Sequence, residues 1–219
     1  MKQTLHKFWR EHRHFILFML LIVGFRSAIA DWNVVPTGSM KPTIVEGDRI
    51  TVNKLAYDLR IPLTPISLLT LGEPQRGDIV VFDSAAAGKR LVKRVIGLPG
   101  DTVAMFKNRV SINGRVLDYT LVKQTQDSIV LREMLDHHPH LIKLKRNALA
   151  SSAEFAPLRV PAGHYLVLGD NRDNSADSRY IGFVPRAEMV GRASRVVMSL
   201  DYDDHYLPRT DRLWQPLDG

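Results

Sequence analysis

The sequence predicts a mainly β domain built from antiparallel sheets, set behind a single N-terminal transmembrane helix. Three observations lead there. An uninterrupted apolar run, Phe15 to Phe25, follows a basic N-terminus. Most of the remainder breaks into short alternating runs bounded by turn signals, with weak helix signals. Asn113-Gly114 stands between two such runs, where a two-residue hairpin turn needs positive φ at both central positions.

Taken in order, residues 1–14 form a basic segment on the cytoplasmic side, 15–31 the anchor, and 32–219 a β-rich domain outside. The apolar run is short for a span that wants about 20 residues, but continuing to Ala30 with Arg26 snorkelling to an interface makes it adequate. A cleavable leader ending in Ala28-Ile29-Ala30 is the rival reading. Arg26, a charge between the apolar core and the would-be cleavage site, argues for a retained anchor.

Beyond it, Ile50–Leu55, Asp78–Phe82, Leu91–Ile96 and Arg109–Leu117 read as strands, the last a hairpin; Tyr165–Leu168 and Ser194–Leu200 supply later ones. Residues 57–75, with Pro62, Pro65 and Pro74, read as a long ordered loop. The more polar stretch 118–158 fits no pattern and stands as a divergent insertion. Within it, His137-His138-Pro139-His140 lacks an acidic partner at helical spacing and reads as a surface loop rather than a metal site.

Composition narrows the class. The 219 residues are 45% hydrophobic, enough for a full core. The net charge is +7, but residues 1–31 hold five of the 30 Lys and Arg against two acids, leaving 25 basic and 21 acidic residues, or +4, for the rest. Without a basic run or interleaved aromatics, this gives no case for nucleic acid. The absence of cysteine excludes disulfides, thiol catalysis and Cys-ligated metal.

The stretch Val34-Val35-Pro36-Thr37-Gly38-Ser39-Met40-Lys41-Pro42-Thr43 poses the functional question. Serine between Pro and Gly is ordinarily a turn residue. A nucleophilic Ser39 needs a proton acceptor, and a neutral lysine can serve. Lysine titrates near 10.4, so being substantially neutral near pH 8 costs roughly 2.7 kcal/mol and requires an apolar setting. The two-residue period of Leu91-Val92-Lys93-Arg94-Val95-Ile96 puts Lys93 between Leu91 and Val95 on one face, with Arg94 on the other. The plainer reading of Lys93 is an edge-strand lysine that discourages aggregation. Lys89 and Lys41 sit in loop settings and read as solvated.

A second polar cluster runs Gly169-Asp170-Asn171-Arg172-Asp173-Asn174-Ser175-Ala176-Asp177-Ser178-Arg179-Tyr180. Its two arginines and three aspartates allow internal ion pairs. Calcium is the other reading of Asp170, Asp173 and Asp177, but the expected spacing and the closing Glu are missing.

Three motifs in order, PTGSMKPT (36–43), RGDIVVF…KRVIGLPGD (76–101) and GDNRDNSADSRYIGFVP (169–185), resemble the bacterial type I signal peptidases, or leader peptidases. GDRITVNKLAYDLR (47–60) and the anchor precede them. The resemblance covers 15–117 and 160–200 and leaves 118–158 unmatched. It implies a Ser–Lys serine endopeptidase that removes signal peptides from exported preproteins, with Ser39 as nucleophile and Lys93 as general base. The oxyanion donors it implies are the Ser39 N–H and the Thr37 hydroxyl, Thr standing where serine is more usual. Ser175 matches a serine that bonds the lysine amine, and Asp177 with Arg179 a structural ion pair.

Two departures are the single anchor, where the best-known Gram-negative members carry two spans, and Ile181 in place of an aromatic. The resemblance places the domain on the extracytoplasmic, periplasmic face of the inner membrane. Its partners are then preprotein signal peptides and lipid, with no nucleic acid, no metal or cofactor, and a monomeric chain. The alternatives are a Ser–Lys peptidase dedicated to a conjugation pilin, and a silent anchored protein that binds export substrates.

Overall fold

The computed structural model describes residues 2–64, 66–136, 138–146 and 154–217. Helix α1 spans Lys2–Ala28, beginning well before residue 15 and stopping before residue 31. The upstream residues contain no Gly or Pro, so nothing in 2–14 interrupts a helix that the apolar run propagates. Its end is fixed by pairing: Ala30 already lies opposite Asn53 in the first strand. Lys54 Nζ donates to the carbonyls of Arg26 and Ser27 at 2.8 and 3.0 Å, satisfying two of the acceptors a helix end leaves open. Among the described residues no helix is long and apolar enough to cross a membrane. The apolar run 15–25 rises only about 16 Å at 1.5 Å per residue, against a hydrocarbon core of about 30 Å.

The strands, in chain order, are β1 (Ala30–Val34), β2 (Asp48–Asn53), β3 (Asp58–Arg60), β4 (Ser67–Thr70), β5 (Ile79–Ser84), β6 (Lys89–Gly97), β7 (Thr102–Phe106), β8 (Arg109–Ile112) and β9 (Arg115–Val116). Then come β10 (Asp118–Gln124), β11 (Ser128–Leu135), β12 (His138–Lys145), β13 (Phe155–Arg159), β14 (His164–Leu168), β15 (Val184–Pro185), β16 (Met189–Asp201), β17 (Leu207–Pro208) and β18 (Gln215–Pro216). A one-turn helix, α2 (Ser178–Ile181), precedes β15.

Among the described residues the main sheet runs β1-β2-β16-β5-β6-β14-β15, with β17 and β18 on β16, and its pairings are antiparallel. A second sheet, β13-β7-β8-β9, contains the expected hairpin: Asn113 and Gly114 have φ of 52° and 83° and link β8 to β9. Apolar side chains gather in three clusters, around Ile50, Val52 and Val81, around Ile96, Val103 and Leu166, and around Val80, Phe82 and Val167. The continuous apolar run Ile79–Phe82 is explained by this arrangement, because β5 is covered on both faces.

The structure corrects two expectations and fills in a third stretch. The stretch 57–75 is not one loop but carries the β3–β4 hairpin, with Leu59 opposite Leu69. The stretch 118–158, left without a pattern by the sequence, contains a three-stranded antiparallel sheet, β10-β11-β12, and strand β13. The histidine run is not a surface loop: His138 begins β12 and His140 is buried against Glu133, while His137 lies outside the described residues.

Candidate active site

Ser39 sits in a one-turn 3-10 helix, Gly38–Met40, entered from extended Thr37. A helix start leaves its first N–H groups without intrahelical partners, so the Ser39 amide belongs to that set of donors. The turn is clamped by Asn171, whose N–H donates to Ser39 O at 3.0 Å and whose Nδ2 donates to Gly38 O at 2.9 Å.

Lys93 comes from β6, between β5 and β14 and not at a sheet edge, which removes the aggregation-guard reading. Opposite it is Val80, and its side chain is 2% exposed. Lys93 Nζ lies 2.8 Å from Ser39 Oγ and donates to Val92 O at 2.8 Å. Burial pushes the ammonium down from 10.5 to about 8, although the Asp177 and Asp170 carboxylates pull upward and Lys89 adds to the lowering. The other two lysines differ in kind: Lys89 is exposed and Lys41 pairs with Glu46 at 2.5 Å.

Arg94 does point away from Lys93, but into the protein. It is 2% exposed and bidentate with buried Asp170, at 2.9 and 2.8 Å, while Thr43 Oγ1 donates to the same carboxylate at 2.5 Å. A pair so enclosed survives because both ions are fully hydrogen-bonded. It joins the three motif segments, 36–43, 76–101 and 169–185, at one point.

Only one ion pair in the 169–180 cluster is internal as expected. Arg179 Nε and Nη2 donate to the two Asp177 oxygens, each at 2.8 Å, and Asp177 also accepts from Gly169 N at 2.9 Å. Arg172 reaches instead to Glu133 in β11, and Asp173 accepts from Asn108 and from Lys145 N. Among the described residues, no three His, Asp or Glu side chains group as a metal site.

Ser175 reaches the same place without the expected bond. Its Oγ is buried, has no hydrogen-bond partner among the described residues, and lies where a side chain on Gly169 would meet it, 2.2 Å from an added Cβ. That Cβ would also stand 2.6 Å from Ser39 O, so Gly169 is the space between the two serines' segments. Thr37, Ser39, Lys93 and Ser175 share the wall of one cavity of about 430 Å³. A second, of about 360 Å³, shares Thr37, Ser39 and Lys93 with the first and is also lined by Val34, Met40 and Leu91.

The arrangement unites Thr37, Ser39, Lys93 and Ser175 and holds Asp177–Arg179 directly behind them. On sequence alone Asp170 reads only as a calcium ligand or an ion-pair partner, and Arg94, Asn171 and Thr43 do not read as site residues at all. All four fall inside the quoted motifs, and their types offered a signal: an Arg next to the buried lysine, and an Asp-Asn step next to a glycine.

Known proteins resemble this chain in sequence. The signal peptidase I of Pseudomonas aeruginosa is 40% identical over 202 residues, 84% of this chain and 69% of the relative. That of Pseudomonas fluorescens is 36% identical over 200 residues, with the same coverage. A crystal structure of a signal peptidase I from Enterococcus faecalis V583 matches 55% of this chain and 96% of its own at 35% identity, with a TM-score of 0.36. The family described as signal peptidase, peptidase S26, matches residues 9–198, and with the 40% identity to the Pseudomonas aeruginosa relative this shows that the chain belongs to it.

Proposed function

We propose that this member of the signal peptidase family cleaves N-terminal signal peptides from exported preproteins with Ser39 as nucleophile and Lys93 as general base. It is a signal peptidase of the serine class. The observation that carries the residue assignment is the 2.8 Å approach of Lys93 Nζ to Ser39 Oγ in a setting that lowers the lysine to about 8. A neutral amine there accepts the Ser39 proton as Oγ attacks the carbonyl after the signal peptide's last residue. The resulting ammonium protonates the leaving amine. The freed Lys93 then takes a proton from the water that clears the acyl-enzyme. Charge on the substrate oxygen is met by the Ser39 N–H and the Thr37 hydroxyl, which makes no capping bond in the structure.

The two cavities that Ser39 lines offer places for side chains of an extended peptide, and the family resemblance implies small residues at the first and third positions before the cut. Strand β1, at the border of the main sheet, leads into Thr37 and Ser39.

We place the enzyme on the outer face of the cytoplasmic membrane, with α1 as an anchor whose N-terminus is cytoplasmic. Phe15, Leu17, Phe18, Leu20 and Leu21 are all exposed on α1. Local thinning of the bilayer accommodates so short a stretch. Arg26 turns toward the domain, pairing with Asp31 at 2.7 Å and covering the Trp32 ring at 4.1 Å, a suitable arrangement at an interface.

The test is incubation of the detergent-solubilised full chain with a preprotein, reading the new N-terminus. Ser39→Ala and Lys93→Ala each abolish turnover, and the double variant is no worse, because the two act as a unit. Appreciable cleavage by Lys93→Ala overturns the assignment.

A further inference from the structure

The sheet β10-β11-β12 lies in the part of the chain that the motifs leave unmatched, yet it reaches the site. Glu133, in the middle of β11, is completely buried. Its carboxylate accepts from Arg172 Nη1 at 3.0 Å and Nη2 at 2.5 Å, and from the Tyr119 hydroxyl at 2.5 Å; His140 Nε2 stands 3.1 Å from Oε1. Burial alone would raise this carboxyl, but Arg172 and His140 outweigh it and hold Glu133 ionised far below the usual range.

Arg172 is itself buried, and it opens the one-turn helix Arg172–Asn174 that delivers Ser175 to the cavity. The same loop is fastened from the same side by two backbone donors of β12: Lys143 N to Asp170 O, and Lys145 N to Asp173 Oδ2, both at 2.8 Å. On its opposite side Asn171 holds the Ser39 turn. The segment 170–175 is thus gripped between the insertion and the nucleophile. A buried ion pair is a poor source of stability compared with apolar packing of equal volume, whereas a bidentate fork fixes orientation closely.

We infer that Glu133 is a positioning residue for the cleavage reaction: through Arg172 it sets the place of the 171–175 segment, and with it Ser39 and Ser175 relative to Lys93. This rests on the Ser39–Lys93 reading and gives the unmatched sheet a role in the site.

Two variants in the full-length, detergent-solubilised enzyme test it, with amide hydrogen exchange of the 167–177 segment read beside kinetics. Glu133→Gln lowers kcat at least tenfold with KM within about twofold, and exchange in that segment speeds up. The double apolar variant Glu133→Met/Arg172→Leu regains the wild-type denaturation midpoint, while kcat stays at least tenfold down and exchange stays fast. Wild-type kcat in Glu133→Gln overturns the inference. So does unchanged exchange, or recovery of kcat together with stability in the double variant. Exchange is read whether or not the preprotein is cut, so an inactive wild type with an exchange response faults the cleavage reading and not the strap.

Discussion

Asn171 holds Ser39 by the backbone: its N–H donates to the Ser39 carbonyl at 3.0 Å, and its side-chain amide donates to the carbonyl of Gly38 at 2.9 Å. The Ser39 turn is therefore positioned by a loop more than 130 residues away in sequence. Asn171→Ala removes the side-chain bond and leaves the Gly38 carbonyl with only the Lys41 N–H at 3.2 Å, a cost of about 0.5–1.5 kcal/mol. The midpoint of urea unfolding should fall accordingly, and kcat/KM should drop on the order of tenfold as the turn loosens.

Gly169→Ala is expected to be worse for catalysis than for folding. The new Cβ would stand 2.2 Å from Ser175 Oγ and 2.6 Å from Ser39 O, so one of the two segments must move. Overpacking of this kind costs about 1–3 kcal/mol. Because the displaced atoms are those of the site, kcat/KM should fall on the order of a hundredfold, since reacting groups must hold near-attack geometry. A variant that unfolds at a lower denaturant concentration yet cleaves normally would contradict this placement.

Two ion pairs with similar bidentate geometry should respond very differently. Asp170→Asn leaves Arg94 buried with its charge uncompensated, a loss of about 3–5 kcal/mol. Asp83→Asn breaks the Arg90 pair, whose side chains are 57% and 42% exposed, and should cost less than about 1 kcal/mol. Chemical denaturation of the two variants side by side gives the comparison.

These contrasts also mark what was legible in the sequence. Alternation exposed β2 and the Asn113-Gly114 hairpin, since each buries one face and leaves the other partly open, whereas β6 is buried on both faces from Lys93 onward. The same rule put Lys93 among apolar neighbours. It failed for β10, whose residues are nearly all exposed, and for β3–β4, whose leucines face outward. Neither strand has a buried face to impose a period. The Glu133–Arg172 pair was invisible for another reason: the partners are 39 residues apart, and no local pattern announces a long-range ion pair. Periodicity puts Arg94 on the face opposite Lys93, but it gives only direction and not the buried Asp170 that lies there.

Lys93 should also reveal itself through stability. Its folded-state value, about 8, lies below the 10.5 of the unfolded chain, so the unfolded state binds more protons between those pH values. Stability then rises with pH through that window, and the full penalty applies below about 8. Lys93→Met removes a penalty of about 3 kcal/mol at pH 7, less about 1 kcal/mol for the lost hydrogen bonds. The variant should be inactive yet more stable at pH 7 by about 2 kcal/mol, with that advantage gone above pH 10.5. Lower stability than wild type at pH 7 would contradict a desolvated lysine.

The most direct test of the Ser39–Lys93 dyad is kcat/KM against pH for a peptide substrate, in detergent at fixed ionic strength. On the acid side kcat/KM reports the group that must be deprotonated in the free enzyme. With Lys93 as base, activity should rise with an apparent value of about 8. An acid limb near the roughly 6.5 of histidine, moving when His164 or His205 is replaced, would mean that a histidine is the base and that Lys93 is not.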